Sequence, residues 1–220
     1  SGLDYDRLLI DTSPPVLTYY NINNKERPAF KAGYVWEDGE LYWHKIKASD
    51  VGYKGLMHKL ELEIFIQAHA LNRLFMRLDG INPHLINEHM NLSLLLNHII
   101  NYKGNILIQF KIFGCKAGWF VSEIIDGTLL IKSFLFLTND GTPEGDKLKE
   151  TAGLSKVGKQ YFHIDTLNNF VNSDIEENTI LKKLFLKAGC KSLFKLGSFI
   201  KANEKKINTA DALLHYMNFE

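Results

Sequence analysis

His69, Arg73 and Arg77 stand four residues apart, in a stretch where Ala70, Leu71, Leu74, Phe75 and Leu78 recur at helical spacing. On a helix the three form one polar stripe, opposite the apolar face. Arginine is scarce in this chain: Arg7, Arg27, Arg73 and Arg77 stand against 22 lysines, and two of the four share this segment. A guanidinium pair of this kind suits a phosphate, whose oxygens match its planar donors. His69 falls in the first turn, where the helix dipole favours the neutral imidazole that can accept a proton. The chemistry implied is phosphodiester handling, with His69 as base and Arg73 and Arg77 as cations.

A second set of polar residues lies in three β-like runs, Asn105–Phe113, Trp119–Ile125 and Thr128–Thr138, which read as an antiparallel meander. A two-residue turn at Asp126-Gly127 places Glu123 opposite Leu130 and Val121 opposite Lys132. If a loop over Gly114–Gly118 pairs Phe113 with Trp119, Lys111 faces Val121 and Gln109 faces Glu123. Gln109, Lys111, Glu123 and Lys132 then emerge on one face with Trp119 and Phe134. Ile108, Phe110, Ile112, Phe120, Ile124, Leu129, Ile131 and Leu135 form the core face. Glu123 becomes a candidate second acid or base, and Lys111 and Lys132 candidate phosphate contacts. This site requires the His69 helix to lie against the polar sheet face.

The elements that must position these groups follow from the rest of the pattern. Residues 3–10 read as a short helix before Pro14-Pro15, and Val16–Ile22 as a strand turning at Asn23-Asn24. Asp38-Gly39 reads as a hairpin turn pairing Trp36 with Leu41 and Tyr34 with Trp43. Leu60–Ile64 alternates as a strand before the Gln67–Leu78 helix. Asn82 caps a second helix, with Pro83 first, running to about His98. Thr142 and Pro143 start another helix, and Gln160–Ile164 reads as a short strand. Helices follow over residues 175–188, stopped by Gly189, then Lys191–Ala202 and Ala210–Tyr216, the last capped by Thr209. The fold class is α+β: antiparallel hairpins and a meander packed with helices. Residues 1–165 form the mixed body and 166–220 a helical C-terminal subdomain packed on it.

Composition excludes several classes. With 220 residues, 45% hydrophobic and 23% charged, the chain is long enough for a core without disulfides or structural metal. The net charge of +1 carries no polyanion signal. No apolar run approaches a membrane span, so no membrane partner is expected. Cys115 and Cys190 lack metal or redox spacing, so reduced thiols and a cytoplasmic location are expected. The start at Ser1-Gly2 without Met has the pattern of a tag remnant. The eight histidines show no HxxxH or HExxH spacing, and no GxGxxG, Walker or GxSxG pattern occurs, so neither metal nor cofactor is expected.

The order strand, His69-Ala70-Leu71-Asn72-Arg73, Arg77, second helix, meander resembles the HAxxR-type segment of small bacterial RelE/BrnT-like toxin-related domains, over residues 60–138. That resemblance implies an RNA-cleaving or partner-binding α+β fold, with His69, Arg73 and Arg77 in the corresponding positions. The chain as a whole also resembles proteins of gut Bacteroidetes, which adds no activity. The expected function is a toxin-like, metal-independent ribonuclease or other phosphodiester-handling protein, with RNA or a protein as partner. The alternative is a non-enzymatic protein- or nucleic-acid-binding module. It would use the aromatic hairpin and the lysine-rich tail, where residues 176–206 hold eight Lys and three Glu.

Overall fold

A computed structural model of the chain describes residues 15–35, 39–54, 59–96, 98–200 and 209–217. The expected 3–10 helix and Trp36 lie outside them. The N-terminal part runs β1 (Leu17–Ile22), β2 (Lys25–Lys31), β3 (Gly33–Val35), β4 (Leu41–Trp43), β5 (Lys45–Lys47), β6 (Glu61–Gln67), α1 (Ala68–Arg77) and α2 (Pro83–Leu96). Four strands follow, β7 (Ile99–Tyr102), β8 (Asn105–Ile112), β9 (Cys115–Ile125) and β10 (Thr128–Phe136). The rest is helical: α3 (Pro143–Ala152), α4 (Lys156–Tyr161), α5 (Leu167–Asn172), α6 (Thr179–Ala188), α7 (Lys191–Leu196) and α8 (Ala210–Tyr216). The class is α+β.

Eight of the described strands form one sheet in the order β1-β2-β6-β10-β9-β8-β7, with β5 also on β6. The junction is β6 with β10, a parallel pair holding Ile64–Ile66 against Leu129–Ile131. All other described pairings are antiparallel. Two β-systems that look separate in the sequence are therefore halves of a single sheet. β7 was hidden behind the end of the expected second helix, and it forms a hairpin with β8 around Lys103-Gly104.

The hairpin registers differ from the expected ones for local reasons. β8 and β9 turn tightly at Phe113-Gly114, both at positive φ, so Ile112 pairs with Cys115 and Gln109 with Trp119. Neither Lys111 opposite Val121 nor Gln109 opposite Glu123 occurs. Gly118 is not a loop residue but a strand glycine, because a Cβ there would lie 2.3 Å from the Leu135 carbonyl oxygen. Between β9 and β10, Glu123 does face Leu130, but a bulge at Lys132 then brings Val121 opposite Ser133. The extra residue exchanges faces beyond it. Phe134, expected on the polar face, packs with Phe110 and Phe120 in the core, while Leu135 moves to the Trp119 side. In the N-terminal hairpin Gly33 pairs with Trp43 and Tyr34 with Tyr42, one residue off the expected register.

The main core packs α1, through Ala70, Leu74 and Leu78, with Ile64, Ile66, Leu129, Ile131 and the Phe110–Phe120–Phe134 cluster. It continues into the helical part through Leu148, Leu167, Phe185 and Leu213. Tyr20, Ala29, Phe65 and Leu130 form a separate small cluster. Several expected features of the helical part change: α6 starts at Thr179 after its Asn178 cap and not at residue 175, and α7 ends at Leu196. Residues 160–164 are not a strand: Ser155 caps α4 by accepting from the Gly158 amide, and the chain turns after Tyr161. α8 is held at its start by Asp174, whose carboxylate accepts from the amides of Thr209 and Ala210 at 2.7 Å each, and not by a Thr209 side-chain cap.

Candidate functional site

β6 ends at Gln67 and the chain turns directly into α1, so β6 covers β10 only as far as Ile131. Past that point no described strand pairs with the α1 side of β10. A solvent-open cleft of about 420 Å³ occupies the space. α1 lines it with His69, Arg73 and Arg77, β10 with Ser133 to Leu135, the following loop with Asn139 to Gly141, and α4 with Lys156 and Gln160. The place is physically apt: it lies outside the carboxyl ends of the parallel pair, where diverging connections leave a crevice in α/β sheets.

The expected helical stripe thus opens into one cleft, but its members have different duties. The Arg77 guanidinium is paired with the Asp165 carboxylate, and its Nη1 also donates to the Asp165 carbonyl oxygen at 3.1 Å. The side chains are 12% and 7% exposed, so this is a buried clasp between α1 and the segment before α5. Arg77 is therefore tied into the scaffold. Arg73 is half-buried and His69 exposed. Among the described residues neither has a hydrogen-bond or ion-pair partner, and the same holds for Lys156.

Among the described residues one acidic group lines the cleft, and it is already compensated. Asp140 accepts from Lys159 at 2.6 Å and lies 3.7 Å from Lys149. Lys159 is 1% exposed and also donates to the Gly145 carbonyl oxygen at 2.5 Å. Burial pushes its ammonium below the usual lysine range, against the pull of Asp140. Asp146 accepts from the Gly141 amide at 2.8 Å, and Thr142 caps α3 through the Gly145 amide. The 139–145 loop is thus fixed at both ends by buried polar contacts, and its side of the cleft is preorganised. The balance in the cleft, among the described residues, is two unpaired cations, Arg73 and Lys156, beside an imidazole, a hydroxyl and the two amides of Asn139 and Gln160.

Glu123, Lys111 and Lys132 do not join them. Leu129 and Ile131 pack in the α1 core, and Leu130 between them packs in the separate Tyr20–Phe65 cluster. Glu123 is directly opposite Leu130, so it shares that other face. There it pairs with Lys132. Lys111 is exposed on β8, where Ser93 clasps its backbone. Glu123 and Lys132 thus stand on the face opposite α1, a face that also buries Leu130 and Phe65, so the site expected between α1 and these residues does not assemble. Lys156, Gln160 and the Asn139–Gly141 loop were not expected at the site. Ser155, a cap residue three before Gly158, was the available signal for α4.

Among the described residues no group of three or more His, Cys, Asp or Glu is placed to hold a metal ion. No described helix is long and apolar enough to cross a membrane. In comparisons with protein-family models, curated proteins and solved structures, nothing matches this chain.

Proposed function

We propose that the protein handles phosphodiesters, binding an RNA phosphate in the α1 cleft. The observation that carries this is the uncompensated charge of Arg73 and Lys156 in a cleft where, among the described residues, the only lining carboxylate is already held by two lysines. Two unpaired cations lining one cleft attract an anion, and the planar Arg73 donors suit phosphate. Ser133 and Gln160 add neutral donors, and His69 is the exposed proton acceptor beside them. With Glu123 on the other face, metal-free cleavage would rest on His69 as base and Lys156 as acid, both of which line the cleft. That favours binding over turnover as the primary function.

The test is a titration of fluorescently labelled RNA in EDTA over a salt series, with wild type, Arg73→Ala and Lys156→Ala. Each variant should bind more weakly and lose about 0.7 from the salt slope for each phosphate contact removed. Unchanged affinity and slope in both variants would refute the cleft as the binding site. Electrophoresis of the same samples detects turnover: products that vanish in His69→Ala add cleavage to the function, and intact RNA throughout leaves a binding module.

A further inference from the structure

Beside the cleft the protein carries a partly exposed aromatic surface. On α4, Lys156 and Gln160 line the cleft; one residue on, Val157 and Tyr161 are 73% and 75% exposed. Tyr161 meets Phe162 edge-on at 5.1 Å, and Phe162 meets Tyr216 of α8 at 5.3 Å. Tyr216 is anchored from two sides, by its hydroxyl 3.2 Å from the Ser155 hydroxyl and by its ring over Gly158, where a Cβ would stand 3.0 Å from it. Tyr216 is nonetheless 45% exposed. The shelf is therefore braced from behind and open in front, and adjacent residues of one short helix serve the cationic cleft and the ring surface.

From this juxtaposition we infer that the ligand is single-stranded nucleic acid, held by a phosphate in the cleft while a neighbouring base stacks on Tyr161. The inference rests on the phosphate-binding role given to the cleft and specifies its ligand. Cations beside an exposed, braced ring are the two components of single-strand recognition: charge tracks the backbone and the ring takes any base by its face. Duplex offers no such face, because its bases are stacked on one another. The cations also decide between occupants, since an apolar protein segment would gain nothing from Arg73 and Lys156, whereas a nucleotide uses both features at once.

The experiment compares a labelled single-stranded RNA, the same strand as a duplex, and an abasic strand of equal length, each with wild type, Tyr161→Ala, Tyr161→Phe and Arg73→Ala. Tyr161→Ala should weaken single-strand binding about tenfold and leave abasic binding unchanged, and Tyr161→Phe should keep wild-type affinity. Arg73→Ala should weaken the single strand and the abasic strand alike. Tyr161 is largely exposed, so its loss leaves the core intact. Duplex bound as tightly as single strand, or Tyr161→Ala without selective effect, would overturn the inference; the shelf would then be a protein-docking surface. Loss of the Arg73 effect alone would instead overturn the phosphate-cleft assignment.

Discussion

Arg73 and Arg77 are one helical turn apart, yet their removal should fail in opposite ways. Arg77 and Asp165 are 12% and 7% exposed, and Arg77 also holds the Asp165 backbone carbonyl. Replacing Arg77 with Ala leaves a buried carboxylate without its cation and a carbonyl without its donor. Breaking a buried pair from one side costs about 3–5 kcal/mol. That is a large part of the roughly 5–15 kcal/mol that holds a domain folded. Arg73→Ala removes a half-buried side chain with no described partner and should stay within about 0.5 kcal/mol of wild type. Urea unfolding followed by tryptophan fluorescence measures both. The variant Arg77→Met/Asp165→Leu should recover much of the loss, because no orphaned charge remains. An Arg77→Ala cost below about 1 kcal/mol, or equal costs for the two arginines, would refute the division between scaffold and binding.

Gly145→Ala should lower the thermal midpoint sharply, since its Cβ would fall 1.8 Å from the Asn139 carbonyl oxygen, and a midpoint equal to wild type would contradict that loop geometry. His44 is buried with Nε2 3.1 Å from Asn91 Oδ1, and burial outweighs that contact in pushing its imidazolium below the ordinary range. The unfolded chain therefore binds the extra proton more readily, and this contribution to stability is lost as pH falls below about 6.5. Unfolding free energies at pH 7.5 and 5.5 should show a smaller acid loss in His44→Gln; an identical loss would remove His44 as a source of the pH dependence.

Features set by a few adjacent residues were legible in the sequence, and features set by distant ones were not. The change from alternation to helical period at Gln67 located β6 and α1 and placed His69, Arg73 and Arg77 on one stripe. The Asn82 and Thr142 side chains accept the amides expected of helix starts. Nothing near Arg77 announces Asp165, 88 residues away, so an arginine of the clasp reads like an arginine of the site. Gly118 misled because a glycine needed for close approach to β10 looks like a turn glycine. The Lys132 bulge has no local signature, yet it moves Phe134 inward and Leu135 to the other side, which changes the wall of the cleft.

The parallel pairing of β6 with β10 also governs the order in which the chain can become a protein. β6 is an inner strand, with β2 and β5 along one side and β10 along the other. Its second side stays open during synthesis until residues 129–131 have been made and have returned across two helices and three strands. A nascent chain ending in α2 exposes a central strand rich in Ile and Phe with half its backbone donors and acceptors unanswered. Such a junction raises the contact order, and with it the time spent in partly assembled forms that pair strands between molecules. The late arrival of one strand is thus what separates a chain with two loose β-systems from a single continuous sheet with a cleft at its seam.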